Sequence, residues 1–172
     1  DDAHRPYQVW KHRLGEAPKT DQLIYEETDE AFYLSLGGTR SDAYVMISVD
    51  SKVTSEVHIL DANHPDGDFQ VVCPRQYGVE YSISHHPGND QDVDRFYIVT
   101  NEDAINSKLM VTPVKALEKE NWKTVIPHRP DVQLNGISVF SDYLVIYERQ
   151  GGLPTIRIQT LSTAKQTVLE FP

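Results

Sequence analysis

Short apolar runs recur along the whole chain, each stopped by a cluster of Gly, Pro, Asn, Asp or Ser. Many of them alternate with a period of two: Phe32, Leu34 and Leu36 stand on one face, Tyr33 and Ser35 on the other. That period places successive side chains on opposite faces of a strand. The pattern predicts fourteen strands, at 9–14, 22–27, 32–36, 44–49, 55–60, 69–73, 81–85, 96–100, 108–114, 122–126, 137–140, 143–147, 155–160 and 166–171. One segment, Val114 to Asn121, is rich in helix formers and is expected to make a turn or two of helix. The run Arg95 to Pro113 reads as strand, polar turn, strand. Asn101, Asp103 and Asn106 supply turn chemistry there, because short Asx side chains bond nearby backbone.

The strands fall into a repeat. Second strands begin at Tyr44, Phe96 and Tyr143, and third strands at Ser55, Ser107 and Pro154, with the same spacings of 52 and 47 residues. Fourth strands end at Pro74, Pro127 and Pro172. The acidic insertion Asn89 to Asp94 accounts for the longer interval. Four strands per unit of about 50 residues is the pattern of a β-propeller, whose blades are four-stranded antiparallel sheets. A β-sandwich or a jelly roll does not require equal offsets at several strand positions. The expected fold is therefore all-β: a partial propeller of about three complete blades plus two outer strands of another. The blade pieces fall at about 7–28, 31–74, 79–127 and 133–172, within one domain spanning 1–172. Such a chain does not close a ring by itself, and its open strand edges invite edge-to-edge self-association.

Composition narrows the function classes. A net charge of −10 argues against nucleic acid as a partner, since phosphates demand clustered Lys and Arg. No apolar run approaches the ~20 residues of a membrane helix. The single cysteine, Cys73, excludes an internal disulfide and sits among apolar neighbours as a packed thiol, which fits a cytoplasmic protein. The first residues are polar and no Met opens the chain, so it reads as a piece of a longer protein.

Several stretches carry a family resemblance: Val9-Trp-Lys-His-Arg-Leu-Gly15, Tyr25-Glu-Glu27, Phe32-Tyr-Leu-Ser-Leu36, Thr54-Ser-Glu-Val57, Glu80-Tyr-Ser-Ile-Ser84 and, most specific, Thr100-Asn-Glu-Asp-Ala-Ile-Asn106. Arg149 followed by Gly151-Gly152-Leu153 supports them. In order and spacing, the chain resembles the propeller domain of the prolyl oligopeptidase family of serine peptidases, in its oligopeptidase B branch, which cleaves after Arg and Lys. The resemblance implies a seven-bladed propeller over an α/β-hydrolase domain that holds the catalytic Ser, Asp and His. The propeller shields that site so that only short peptides reach it. The partners implied are the hydrolase domain of the same parent chain and peptide substrates.

No catalytic residue is carried over onto this chain. A nucleophile elbow needs Gly-x-Ser-x-Gly on a strand-to-helix turn. Gly136-Ile-Ser-Val-Phe140 lacks the second Gly and lies in a predicted strand, and no βαβ alternation is present. His85 and His86 are adjacent on a strand and point to opposite faces, so no metal site is expected there. Asp61, Asp66 and Asp68 beside Gly67 fit an Asp-Gly turn better than a calcium loop. Trp10 and Trp122 are expected to pack between blades. No cofactor, catalytic or metal residues are assigned. The second-to-third-strand loops emerge on one face of a propeller, which puts Glu102, Asp103 and Arg149 on a rim or domain interface. The Asx residues of the 101–106 turn are expected to bond their own turn. An independent propeller module for protein or ligand binding is the alternative to the gating domain of a peptidase. A glycan-binding propeller would show clustered exposed aromatics, in which the sequence is thin.

Overall fold

The computed structural model describes residues 4–88 and 93–170. Fourteen strands form four antiparallel sheets in strict chain order. β1 (Gln8–Lys11) and β2 (Gln22–Glu26) make a two-stranded sheet. The first four-stranded sheet contains β3 (Tyr33–Gly38), β4 (Tyr44–Asp50), β5 (Ser55–Asp61) and β6 (Gln70–Val71). The second contains β7 (Tyr81–His86), β8 (Arg95–Thr100), β9 (Lys108–Pro113) and β10 (Lys123–Ile126). The third contains β11 (Val132–Val139), β12 (Tyr143–Gln150), β13 (Leu153–Thr160) and β14 (Gln166–Val168). This is an open run of propeller blades preceded by a strand pair. Second and third strands begin within a residue or two of their expected starts.

The sheets are stacked face to face, and each gap holds its own core. Ile47 and Val49 of β4 meet Val9 and Tyr25 of the strand pair, with Phe32 and Leu34. Phe96 and Ile98 of β8 meet Val57, Ile59 and Val72 of the first complete blade. Tyr97 and Val99, the alternate residues of β8, meet Leu134, Val139, Leu144 and Ile146 of the third. Burial on both faces explains why β8 is an unbroken apolar run while β3, at a sheet edge, alternates. A two-residue type I′ turn needs positive φ at both positions, and Gly151 and Gly152, with φ of 56° and 83°, supply them between β12 and β13.

Two expectations change. Val114 to Asn121 holds only a 3-10 turn at Lys119–Asn121. The segment is a short tether between β9 and β10, pinned by Trp122 Nε1 donating to the Leu117 carbonyl at 2.9 Å, and it never has the length to propagate a helix. Trp10 is 53% exposed, on the face of β1 turned away from the first blade, where its indole donates to Gln8 Oε1. Trp122 does pack in the core between the first two blades, 6.3 Å from the Tyr81 ring. Residues 89–92 of the acidic insertion and the end of the last expected strand lie outside the described residues.

Candidate functional site: the loop rims

One end of the blades carries the second-to-third-strand turns and the connections that lead from each blade to the next. The 101–106 turn occupies the middle of this rim. Asn101 Oδ1 accepts the Glu80 amide at 2.8 Å, and its Nδ2 donates to the Gly78 carbonyl at 3.3 Å. Asn106 Nδ2 donates to the Arg129 and Pro130 carbonyls at 3.0 and 2.9 Å. The two amides therefore reach outward in both directions and clamp the inter-blade connections before β7 and before β11. This corrects the expectation that they bond their own turn. The turn itself is closed by backbone bonds from Ala104 and Ser107, with Asp103 and Ser107 at φ of 49° and 63°.

The three rim residues behave differently. Glu102 forms an ion pair with Lys119 of its own blade. Asp103 stands exposed at the tip. Arg149 is exposed and donates to the Gly152 carbonyl at 2.8 Å, closing its own hairpin. All three sit on this end of the blades, and each of the two charged contacts stays within one blade.

Beside them lies a cavity of about 260 Å³, lined by Asp50, Glu80, Tyr81, Asn101, Leu134 and Asn135 among others. Burial, and then the Glu80 charge, push the Asp50 carboxyl above the ordinary carboxylate range.

Beneath the rim, side chains that sequence patterning did not single out hold the blades together. The Tyr81 hydroxyl accepts the Val57 and Cys73 amides at 2.9 and 3.2 Å and donates to the Cys73 carbonyl at 2.6 Å. The Ser55 hydroxyl bonds the Tyr81 amide and carbonyl. Glu27, 3% exposed, receives Arg75 Nη2 at 2.7 Å, and the Arg75 guanidinium lies 4.2 Å from the centre of the Phe32 ring. Glu56 accepts the Arg75 amide and meets His58 at 2.9 Å. In the third blade, Arg129 and Arg157 converge on buried Glu148. A signal for these arginines existed: each of the first two complete repeats places an Arg just after its closing proline, at Pro74-Arg75 and at Pro127-His128-Arg129.

On the opposite end, His85 is buried between the Tyr44 and Phe96 rings. Ser41 Oγ lies 2.6 Å from its Nδ1, and Asp94 holds its Nε2. His86 points the other way, with Nε2 3.0 Å from the Ser141 carbonyl. The Ser41 hydroxyl is also held by Thr39 Oγ1 at 2.9 Å, and the chain of groups fastens the first blade to the second. Ser138 lies within β11, near its end, 3.2 Å from the Tyr147 hydroxyl. Asp61 bonds Asn63 and His64, while Asp66 pairs with Lys11 at 2.8 Å. Among the described residues no group of three or more His, Cys, Asp and Glu side chains is gathered to hold a metal. No described helix is long and apolar enough to cross a membrane. Cys73 is half-buried, and burial pushes its thiol pKa up, away from reactivity.

Comparisons with known proteins agree with this architecture. Dipeptidyl aminopeptidase BI of Pseudoxanthomonas mexicana is 37% identical over 151 residues, which cover 87% of this chain and 20% of that protein. Protease 2 of Moraxella lacunata is 33% identical over 156 residues, 91% of this chain and 21% of that protein. The structure of oligopeptidase B from Trypanosoma brucei, closed and with covalently bound antipain, superposes with a TM-score of 0.85 at 27% identity, over 97% of this chain and 24% of that one. The chain thus spans about a fifth to a quarter of the length of these relatives. The model of the prolyl oligopeptidase N-terminal beta-propeller domain matches residues 1–172. With its blades in sequence order and that match along its whole length, the chain belongs to the prolyl oligopeptidase N-terminal β-propeller family.

Proposed function

We propose that the chain is part of the substrate-gating propeller of an oligopeptidase B-like serine endopeptidase that cuts short peptides after Arg or Lys. The observation that carries this reading is the match to oligopeptidase B over nearly the whole chain, at a TM-score of 0.85 and 27% identity. The catalytic α/β-hydrolase domain belongs to the same parent chain, in the cytoplasm, and residues 1–172 form one partial propeller domain without it. The piece is inactive alone. Its rim residues Glu102, Asp103 and Arg149 face the hydrolase domain or the entrance to it. The test is hydrolysis of blocked Arg-, Lys- and Ala-coumarylamides by the full parent protein and by the 172-residue chain. The parent is expected to cut the basic substrates and the chain to cut none. A parent that prefers the Ala substrate overturns the specificity.

A second reading rests on the 37% identity to a dipeptidyl aminopeptidase. Under it the parent removes dipeptides from free N-termini, and acetylating the substrate's amine abolishes cleavage. An endopeptidase is indifferent to that cap.

A further inference from the structure

The inner strands β7 and β11 lie against each other and frame two cavities stacked along their length. The first, near the rim, is lined from these strands by Tyr81, Ser82, Leu134 and Asn135. The second, of about 230 Å³, lies toward the opposite end and is lined by Gly38, Ile83, Ser84, His85, Ile137 and Ser138 among others. At that end the Arg40 guanidinium lies 4.1 Å from the centre of the Phe140 ring. Arg40 belongs to the β3–β4 turn and Phe140 follows β11, so this contact joins the first and third complete blades past the end of the second. Arg40 lines the inner cavity from the first complete blade, and Phe140 directly follows Val139, which lines it from the third.

We propose that the Arg40–Phe140 pair is a gate over the inner end of the cleft between β7 and β11. Both side chains are exposed, so opening needs only a change of side-chain rotamer. An exposed cation–ring contact favours the closed arrangement by roughly twofold to fivefold. A bond of that strength closes the cleft most of the time and yields readily, which suits a passage and not a structural clamp. The structural ties of the blades are instead the buried groups of Tyr81, His85 and Glu27. That peptides use the opening rests on the gating reading above; the gate itself does not.

The experiment is methyl NMR of the 172-residue chain with the neutral paramagnetic cosolute TEMPOL. It compares wild type with Arg40→Ala, Phe140→Ala and Arg40→Lys. Ile83 and Ile137 report on the cleft, and exposed Ile105, on the far rim, is the control. Relaxation enhancement at Ile83 and Ile137 is expected to rise roughly twofold to fivefold in both alanine variants, to change least in Arg40→Lys, and to stay constant at Ile105. Unchanged enhancement at Ile83 and Ile137 in folded alanine variants overturns the gate. A uniform rise that includes Ile105 also overturns it, by showing general loosening. None of these outcomes depends on peptidase activity.

Discussion

At the scale of single residues, the blades are tied by polar groups whose partners lie in the next blade. Tyr81→Phe removes one hydroxyl and strands two amides and a carbonyl in the core. It is expected to cost about 1–3 kcal/mol, read as a lowered urea midpoint with an unchanged slope. Arg75→Ala leaves buried Glu27 without its cation. A loss of about 2–3 kcal/mol is expected, part of which the double variant with Glu27→Gln recovers. Tyrosines also set an alkaline limit. Burial first, then the charges of Glu27 and Glu56, raise the Tyr25 phenol to about 12. The Tyr44 and Tyr81 phenols are pushed up as well, chiefly by burial. A phenol held neutral in the fold binds its proton more tightly there than in the unfolded chain. Its contribution is therefore complete below the unfolded value near ~10 and is lost as pH rises through the folded one. Stability measured by thermal melts is expected to fall between pH 10 and about 12, with Tyr25→Phe flattening the decline. Little of this was legible in the sequence. Tyr81 read as an ordinary strand aromatic, because the backbone groups it satisfies come from segments 24 and 8 residues away. The opposed directions of His85 and His86 were legible, since alternation along a strand fixes them.

At the scale of elements, the hydrophobic pattern found all fourteen strands, because each gap between sheets needs an apolar row and strand geometry dictates its period, though β11 starts at Val132, five residues before its expected start at Ile137. What it could not locate was the purpose of the 101–106 turn. Its Asn residues look like turn formers from composition alone. The structure turns both amides outward, onto connections 23 and 24 residues distant. Asn106→Ala is expected to cost about 1–2 kcal/mol and to speed hydrogen exchange at Leu134, whose amide donates to the Asn106 carbonyl, more than at Val57. Equal changes at both sites would mean that the clamp is not local. The helix expected over Val114 to Asn121 failed for a related reason. Propensity favours it, but the segment is tied at both ends to strands and to Trp122, and tertiary anchoring overrides propensity in a piece this short.

At the scale of the whole molecule, the run of blades has two unfinished ends. Tyr44 and Met46 of β4 are packed against the second blade, and Tyr97 and Val99 of β8 against the third. The corresponding Tyr143 and Tyr147 of β12 stand 48% and 38% exposed. Trp10 and Leu23 are exposed at the other end. Surfaces of this kind are expected to drive concentration-dependent self-association of the isolated chain, seen as a rising weight-average mass in sedimentation equilibrium. A monomer at all concentrations would contradict it. Rim charge is expected to matter only in the parent protein: Arg149→Glu leaves the melting temperature of this chain nearly unchanged and lowers peptide turnover in the parent. The account as a whole rests on the claim that these blades shield a hydrolase site carried by the same gene product. Sequencing the reading frame beyond the codon for Pro172 tests that claim most directly. A continuation encoding further blades and then Gly-x-Ser-x-Gly, Asp and His in that order is the predicted result. A stop codon close behind Pro172, with no hydrolase sequence elsewhere in the frame, would contradict it.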